Sequence, residues 1–289
     1  MRWRDLRRSS NVEDRRDESP SVRGGGGIKL GGVGLVLVMV ASLIFGVDPT
    51  QVLSLLGGGS TATAPQQTQQ RKAPPANDPN ADFVAAVLGD TEDTWSQLFQ
   101  AQGGQYARPK LVLFRDAAQS ACGFASAAVG PFYCPGDRQV YLDLSFFQEL
   151  SQRFGAPGDF ARAYVIAHEI GHHVQNLTGI SAKVEAQRRH LPEAQANALS
   201  VLVELQADCL AGVWGHYAQR RGVLEPGDIE AAMKAASAIG DDRLQRQARG
   251  YVTPDSFTHG TSEQRMRWFS RGLKTGDVKE CNTFVAQRP

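Results

Sequence analysis

Residues 164–175 read YVIAHEIGHHVQ, and this stretch decides the fold of the chain. It holds three of the six histidines of the chain and one glutamate within six consecutive positions, with apolar residues on both sides. His168 and His172 are four positions apart, so on an α-helix their side chains project from one face, about 40° from each other. The opposite face is apolar and carries Ala163, Ile166, Ile170 and Leu177. The stretch therefore predicts a helix with one face in the core and the other directed at a site.

The two histidines and Glu169 form an H-E-x-x-H pattern at residues 168–172. On a helix, this spacing allows two neutral imidazoles to hold one zinc ion while the glutamate serves as general base. The alternative interpretation is a solvated polar stripe on a structural helix, which the aligned apolar face disfavours. His173 lies on the other flank of His172, and we expect it to be a helix-surface residue or a support for the ligands rather than a ligand.

The third ligand is expected on a second helix, residues 200–214, which read SVLVELQADCLAGVW. Glu204 and Asp208 are four positions apart there, with apolar residues on nearly every side. A helix that is apolar all round is normally buried, and buried carboxylates are costly unless a positive group meets them. Since a catalytic zinc takes three protein ligands and a water, we expect Glu204 to bind zinc and Asp208 to accept the outer N–H of a ligand histidine. Ion pairs with arginines at a domain surface are the alternative.

The two motifs together, H-E-x-x-H at 168–172 and E-x-x-x-D at 204–208, resemble the gluzincin pattern of zinc metallopeptidases. The surrounding sequence resembles the bacterial family described as "putative neutral zinc metallopeptidases" (YpfJ-like), in the segments AHEIGHHVQNLTG, VELQADCLAGVW, AIGDDRLQ and DSFTHGTSEQRMRWF. The resemblance covers roughly residues 80–285 and the N-terminal apolar segment. It implies a zincin-like metallopeptidase domain in which His168, His172 and Glu204 bind one catalytic zinc ion and Glu169 is the catalytic base.

A later histidine, His259, lies in the segment DSFTHGTSEQR, in a loop just before a capped helix. Gluzincins use a further histidine or tyrosine to stabilise the oxyanion that forms when water attacks the scissile carbonyl, and the resemblance implies this role for His259. Arg265 is expected to assist it or to bind a substrate carboxylate. An ordinary loop histidine is the alternative. Asp241 and Asp242 follow Gly240, and we expect them to begin the next helix as caps rather than to bind calcium or substrate.

The first 80 residues differ in composition from the rest. Residues 1–29 carry eight Lys or Arg against five acids, and residues 30–47 form an uncharged apolar run of eighteen residues, the lower limit for a transmembrane helix. Residues 48–80 are expected to form a flexible linker, since residues 57–80 are rich in Gly, Ser, Thr, Gln and Pro. The positive-inside rule places residues 1–29 in the cytoplasm and the domain outside, on an inner-membrane, single-pass protein. A buried core helix or a cleaved signal peptide fits the apolar run less well.

All four cysteines lie on the side predicted to be outside the cytoplasm. They are Cys122, Cys134, Cys209 and Cys281. An even count in an oxidising compartment favours disulfides, of which three pairings are possible. We prefer Cys122–Cys134 with Cys209–Cys281. The alternative for Cys209 is a buried free thiol.

From residue 81 the chain is patterned as one domain, residues 81–289. Helices are expected at 82–100 with Asp90 or Thr91 as caps, from Asp159 toward Gly179, from Pro192 to near Gly222, at 229–239 after a cap at Asp228, and after a capping box at Thr261–Gln264. Strands are expected at 110–116 and 139–144. The predicted fold class is α+β: a mainly helical, zincin-like domain with a small β-sheet, preceded by one transmembrane helix.

The predicted function is that of a membrane-anchored zinc metallopeptidase, an endopeptidase that acts on a peptide or protein substrate. The net charge of +1 gives no reason to expect a nucleic-acid partner. Two alternatives stay open: a membrane-tethered, non-catalytic zinc-binding assembly factor, and a zinc amidase that acts on cell-wall material. An intramembrane protease fits poorly, because polar residues surround the histidine motif: Asp159, Arg162, Gln175 and Asn176. The sequence predicts no oligomeric state.

Overall fold

Helices make up most of the residues that the computed structural model describes, which are 1–18 and 72–285. Their bounds are α1 Pro79–Ala101, α2 Ser145–Gln152, α3 Asp159–Leu177, α4 Ile180–Arg188, α5 Glu193–Arg220, α6 Asp228–Ala238, α7 Asp241–Arg249 and α8 Ser262–Thr275. Short 3-10 turns lie at Trp3–Asp5, Ala127–Val129, Pro254–Ser256 and Val278–Cys281. Together with the small sheets, these helices confirm the mainly helical α+β class, and the zincin-like part of that prediction stays a prediction.

The described strands form two small sheets. Their bounds are β1 Val12–Asp14, β2 Lys110–Phe114, β3 Ala117–Ser120, β4 Gly123–Ser126, β5 Phe132–Cys134 and β6 Gln139–Asp143. The larger sheet has the order β1-β2-β6-β5, in which β1, β2 and β6 are parallel and β5 is an antiparallel edge strand. Strands β3 and β4 form a separate hairpin. The strands predicted at 110–116 and 139–144 are β2 and β6, so both predictions are confirmed within two residues.

The long helix α1 begins earlier than predicted. Asp78 is its N-cap, and its carboxylate accepts hydrogen bonds from the backbone N–H groups of Asn80 and Ala81. Asp90 and Thr91, which were expected to be caps, lie buried in the interior of α1, so that expectation was wrong. Asp90 instead accepts a hydrogen bond at 2.8 Å from the indole Nε1 of Trp214 on α5. The side chain that resembled a cap is therefore a contact between two helices.

The other predicted helix starts are close to the observed ones. Helices α3 and α5 follow Gly158 and Pro192, as expected, and the capping box at Thr261–Gln264 is confirmed at the start of α8. Asp228 and Asp241 are the first residues of α6 and α7 rather than their caps. The carboxylate of Asp228 binds the N-terminal amine of Met1, and that of Asp241 accepts hydrogen bonds from the backbone N–H groups of residues 258–260.

Two disulfides hold the domain together, and both have the predicted pairing. Cys122, in the turn between β3 and β4, is joined to Cys134 at the end of β5. Cys209, in the middle of α5, is joined to Cys281 in the last 3-10 turn. The second disulfide therefore fixes the C-terminal segment to the helix that carries Glu204 and Asp208.

Residues 1–18, called the N-terminal strap below, are part of the same folded unit as the described residues from 72 onward. Strand β1 pairs in parallel with β2, so that Val12 lies opposite Leu111. Trp3 is buried, and its Nε1 donates a hydrogen bond at 2.9 Å to Asp159 at the start of α3. The prediction of a separate basic segment at 1–29 is therefore wrong for residues 1–18, because these residues complete the sheet and the core.

The predicted transmembrane helix at 30–47 and most of the predicted linker at 48–80 lie outside the described residues. Within the part of the chain that the structure describes, one helix, α5, is long and apolar enough to cross a membrane by length and composition alone. Of the residues in the most apolar 18-residue window of α5, 67% are buried inside the domain. Such burial is typical of the core helix of a domain, so α5 adds little to the case for a membrane span.

Candidate metal centre

Helix α3 carries His168, Glu169 and His172 on the face that lines an open cleft. His168 and Glu169 are only 6% and 7% exposed, because α3 packs closely against α5. Gly171 permits this approach: a Cβ at that position would lie 2.9 Å from the backbone oxygen of Ala207 on α5. Any side chain at position 171 would force the two helices apart and separate the groups that they bring together.

Glu204 on α5 meets both imidazoles. Its Oε2 lies 3.0 Å from His168 Nε2 and its Oε1 lies 3.4 Å from His172 Nε2, while the two Nε2 atoms are 3.2 Å apart. One ligand atom from each of the three residues lies within 4.8 Å of the other two. The structure thus brings together the three residues that the sequence predicted as metal ligands. Two imidazole nitrogens and one carboxylate oxygen are a donor set found in catalytic zinc sites.

Asp208 lies behind His168 and fixes its orientation. Its Oδ1 is 2.8 Å from His168 Nδ1, and it accepts a hydrogen bond at 2.5 Å from the hydroxyl of Tyr164. Asp208 is fully buried, one helical turn beyond Glu204 on α5. Because Nδ1 is held by a carboxylate, Nε2 is the nitrogen left to bind a metal. This is the contact that the four-residue spacing of the two acids predicted.

His172 has a neutral support. Its Nδ1 lies 2.9 Å from Oε1 of Gln175, and the Nε2 of Gln175 donates to the backbone oxygen of Val203 at 2.7 Å and to Gln206 at 3.0 Å. Gln175 is completely buried. Each of the two imidazoles therefore has its Nδ1 engaged and its Nε2 directed at Glu204.

The three predicted ligands form an electrostatic site for a cation. Burial lowers the pKa of His168, but Asp208 and Glu204 outweigh burial and raise it to about 10. Burial likewise opposes protonation of His172, and the charge of Glu204 raises its pKa above the ordinary value. The pKa of Glu204 lies well below its ordinary value, because the two imidazoles outweigh its burial. Positive charge is thus stabilised at this point, and a metal ion bound there would take the place of protons.

Glu169 is adjacent to the ligands and differs from them in its electrostatics. Burial raises the pKa of Glu169 above its ordinary value, against the opposing charges of His168 and His172. A raised pKa makes the carboxylate a better proton acceptor, which favours a role as general base.

Arg265 on α8 lies behind the ligands. It is 2% exposed, and its Nε and Nη2 donate to the two carboxylate oxygens of Asp208 at 2.9 and 3.0 Å. The Nη2 also lies 3.3 Å from the hydroxyl of Tyr164. The expectation that Arg265 binds a substrate carboxylate is therefore corrected, because its guanidinium is buried and already pairs with a carboxylate of the chain. A buried Asp208 needs this positive partner.

His259 lines the same cleft as the metal ligands, and its side chain is 49% exposed. Its Nδ1 lies 3.3 Å from Oδ1 of Asp241. The Oδ2 of Asp241 accepts hydrogen bonds from the backbone N–H groups of Thr258, His259 and Gly260, at 2.7, 2.6 and 3.1 Å. Asp241 thus anchors the whole loop that carries His259. Its pKa is lowered below the ordinary value because these hydrogen bonds outweigh burial.

His173 is not a surface residue. It is 1% exposed, its Nε2 lies 2.6 Å from the backbone oxygen of Ala107, and its Nδ1 lies 3.0 Å from the hydroxyl of Tyr133. Burial lowers the pKa of His173 to about 4, so the ring is neutral at physiological pH. Asn176, one turn after His172, donates to the same Tyr133 hydroxyl at 2.9 Å. His173 and Asn176 therefore fix α3 to the edge strand β5.

The cleft has a volume of about 1220 Å³. Its walls come from α2, α4, the α7–α8 region and the edge strand β5, and they are largely apolar. Apolar lining residues include Phe132, Phe146, Phe154, Val184, Val203 and Leu244. Sites for small ligands typically enclose about 300–1,000 Å³. The cleft lies somewhat above this range and opens on the predicted ligands.

Three residues that support the site were not predicted for it from the sequence: Tyr164, Gln175 and Asp241. Tyr164 lies four positions before His168, and Gln175 lies three positions after His172, so helical spacing could have predicted both as neighbours of the ligands. Asp241 was predicted only as a helix cap. Its contact with the His259 loop spans 18 positions, and the local pattern gives no signal for it.

Comparisons with known proteins agree with the motif. The profile of one protein family, described as "putative neutral zinc metallopeptidase", matches residues 1–284. The chain is 50% identical over 290 residues to the "Uncharacterized protein YpfJ" of Escherichia coli K12, which covers 98% of this chain and 99% of that protein. It is 42% identical over 260 residues to "Uncharacterized protein Rv2575" of Mycobacterium tuberculosis H37Rv, with 85% of each chain covered. The same figures apply to "Uncharacterized protein Mb2605" of Mycobacterium bovis. No solved structure matches the chain.

Proposed function

The chain belongs to the family described as "putative neutral zinc metallopeptidase", and we propose that it is a zinc-dependent peptidase that hydrolyses peptide bonds in peptides or proteins. One observation carries this proposal. His168, His172 and Glu204 converge on one point at the wall of an open cleft, with Glu169 beside them. The apolar walls of the open cleft support a polypeptide substrate, and the proposed activity is that of an endopeptidase.

The donor set fits zinc. Two imidazole nitrogens and one carboxylate oxygen would hold the ion and leave a fourth position for a water, whereas structural zinc sites have four protein ligands. Among the described residues, the group that could hold a metal contains three side chains, His168, His172 and Glu204. Zinc at such a site supplies a Lewis acid that lowers the pKa of a water and polarises a carbonyl oxygen.

Glu169 is the proposed general base. It accepts a proton from the water that attacks the scissile carbonyl and delivers that proton to the leaving amine. The raised pKa of Glu169 supports this role, because burial favours the protonated form that the carboxylate reaches when it accepts the proton.

His259 is the proposed partner of the oxyanion. Asp241 holds its loop and its Nδ1, which leaves Nε2 as the nitrogen available to a ligand in the cleft. Burial opposes protonation of His259, but the hydrogen bond to Asp241 and the charge of Glu204 raise its pKa above the ordinary value. A protonated imidazole is a strong hydrogen-bond donor, and one such donor contributes on the order of 3 kcal/mol to the stability of an oxyanion.

The domain is proposed to act outside the cytoplasm. Two disulfides use all four cysteines of the chain. Disulfides form and persist in oxidising compartments and are rare in the cytosol. Attachment to a membrane through residues 30–47 stays a prediction.

The deciding experiment replaces the base and keeps the ligands. We expect Glu169→Gln to retain zinc at one ion per chain, measured by atomic emission, and to lose cleavage of a peptide library by at least a hundredfold. The matched control is Glu185→Gln, since Glu185 also lines the cleft and pairs, among the described residues, with Arg188 and Arg189. Full cleavage by Glu169→Gln would contradict the proposed mechanism.

Two alternatives share the metal site. A non-catalytic zinc-binding assembly factor would bind zinc and cleave nothing in the wild-type chain, and its cellular phenotype would be unchanged by Glu169→Gln. A zinc amidase would release fragments from purified cell-wall material and leave the peptide library intact. The apolar walls of the cleft support a peptide substrate, because apolar side chains bury well against Phe132, Phe146 and Phe154.

A further inference from the structure

Three arginines of the N-terminal strap form ion pairs with acids in α1 or at its N-cap. Arg7 pairs with Glu92 at 2.9 Å and with Asp93 at 2.8 Å. Arg8 pairs with Asp82 at 2.7 Å, and Arg16 with Asp78 at 2.6 Å. Basic residues before an apolar segment normally indicate the cytoplasmic side of a membrane. Here these arginines are engaged with acids of the domain, so their presence carries no information about that side.

One of these acids, Glu92, has hydrogen-bond partners in the strap. Glu92 is 0% exposed. Its carboxylate accepts hydrogen bonds from Arg7, from the hydroxyl of Ser9 at 2.7 Å and from the Nδ2 of Asn11 at 2.7 Å, all of which belong to the strap. A buried carboxylate requires partners of this kind. A strap docked on α1 thus explains why a buried position of this helix is occupied by a glutamate.

Gly89 on α1 supports the same conclusion from steric contacts. A Cβ at position 89 would lie 2.4 Å from the backbone oxygen of Arg7 and 3.2 Å from the backbone N of Ser9. Glycine is unfavourable in the middle of a helix, because it loses more backbone entropy than alanine does. The close passage of the strap gives this glycine a physical reason.

We infer that residues 1–18 and residues 72–285 occupy the same compartment, on one side of any membrane that the protein contacts. A chain that crosses a bilayer once has its two flanks on opposite sides. The strap and the domain cannot be separated in this way, since β1 lies inside the sheet and Trp3 lies inside the core. This packing is therefore incompatible with the predicted single-pass arrangement, in which the N-terminus lies in the cytoplasm and the domain lies outside. This inference does not depend on the proposed peptidase activity.

Thiol labelling in intact cells tests the inference directly. The native cysteines are all in disulfides, so an introduced cysteine is the reactive thiol. We would place one at Ser10, which is exposed on the strap, and one at Lys274, which is exposed at the end of α8, in separate full-length chains. With a membrane-impermeant maleimide, we expect the cysteines at positions 10 and 274 to be labelled to the same extent as each other. This should hold both in intact cells and after the cells are permeabilised. Labelling of one position before permeabilisation and of the other only afterwards would overturn the inference.

A single substitution tests the docking of the strap through the sign of its effect. If the strap passes over Gly89, Gly89→Ala should lower the melting temperature of the full-length protein, since the new methyl group meets the backbone of Arg7. If the strap lies elsewhere, the same change should raise the melting temperature, because alanine is the better helix former. Gly104→Ala is the control, since its added Cβ would meet Phe99 at an ordinary 3.5 Å. A rise in Gly89→Ala would contradict the inference.

Discussion

Arg265 and Asp208 form a buried ion pair with two hydrogen bonds, at 2.9 and 3.0 Å, between helices α8 and α5. Asp208 in turn holds Nδ1 of His168. Burial works against ionisation of Asp208, but the charges of Arg265 and His168 keep the pKa of its carboxyl below the ordinary value. The orientation of a predicted zinc ligand is therefore set by a residue on a third helix that does not contact the cleft-facing nitrogen.

Asp208→Asn should weaken both the fold and the metal site. The change leaves the Arg265 guanidinium buried without its charge partner, and breaking a buried pair in this way costs about 3–5 kcal/mol. Loss of a carboxylate behind a ligand histidine typically lowers metal affinity about 10- to 100-fold. Urea unfolding and a competitive zinc titration measure the two effects. The double variant Asp208→Asn with Arg265→Met should regain part of the stability and none of the zinc affinity. Unchanged zinc affinity in Asp208→Asn would contradict the supporting role.

His259→Ala should lower the turnover number about 100- to 1,000-fold and leave zinc content unchanged, since it removes one oxyanion donor and no ligand. The measurement is kcat on a peptide that the wild-type enzyme cleaves, together with metal content. His190→Ala is the matched control, because His190 is exposed, follows the end of α4 and is not among the residues that line the cleft. An equal loss of activity in both variants would point to a general effect on the fold.

The pH dependence of turnover should report on Asp241. Burial lowers the pKa of His259, but Asp241 and Glu204 raise it above its ordinary value, so the imidazole stays protonated to a higher pH than a free histidine would. Activity should then fall as the pH rises through this raised pKa. Asp241→Asn removes the charge, lowers the pKa of His259 and should move the alkaline fall to lower pH. Asp242→Asn is the control, since Asp242 binds Ser262 instead. An identical alkaline limb in Asp241→Asn and the wild type would refute the assignment.

Removal of the metal should destabilise the domain. Zinc that binds the folded chain at 100 times its dissociation constant adds about 2.7 kcal/mol to the free energy of unfolding. Calorimetry with and without a chelator should therefore show a lower melting temperature after chelation. The same treatment should have no effect on His172→Ala, which lacks one ligand. A chelator effect of equal size in that variant would place the stabilising metal elsewhere.

The two disulfides should differ in their contribution to stability. Cys209 and Cys281 are 72 positions apart, and Cys122 and Cys134 are 12 apart. In the chain-entropy account, the longer loop stabilises by about 4.5 kcal/mol and the shorter by roughly 3 kcal/mol. In two separate variants, both cysteines of one pair are replaced with serine. Urea unfolding then compares the loss in the free energy of unfolding between the two variants. The opposite order would mean that strain or residual structure in the unfolded chain outweighs loop length.

The sequence predicted the parts of the site that follow from helical periodicity. His168 with His172, and Glu204 with Asp208, are four positions apart, and a helix places such pairs on one face whatever surrounds them. Periodicity does not state which distant residue meets a buried acid. The partner of Asp208 lies 57 positions away on another helix, so Arg265 was assigned to substrate instead.

The N-terminal strap was misread for a different physical reason. The composition of a sequence does not distinguish an arginine that faces the cytoplasm from an arginine that pairs with an acid of the same chain. Only the tertiary structure distinguishes them, through contacts such as that between Arg8 and Asp82 across 74 positions. The three-residue strand β1 is also too short to show an alternating pattern.

The position of the strap determines how a shorter version of this protein should be made. A fragment that starts near residue 75 would lack β1 and would leave Glu92 without Arg7, Ser9 and Asn11. The backbone N–H of Asp14 donates to the oxygen of Lys72 at 2.8 Å, and the side chains of Lys72 and Asp17 are paired, so the two flanks of residues 19–71 lie side by side. Joining residue 18 to residue 72 with a few glycines and serines should therefore yield a water-soluble protein for crystallisation, whereas the N-terminally deleted fragment should aggregate.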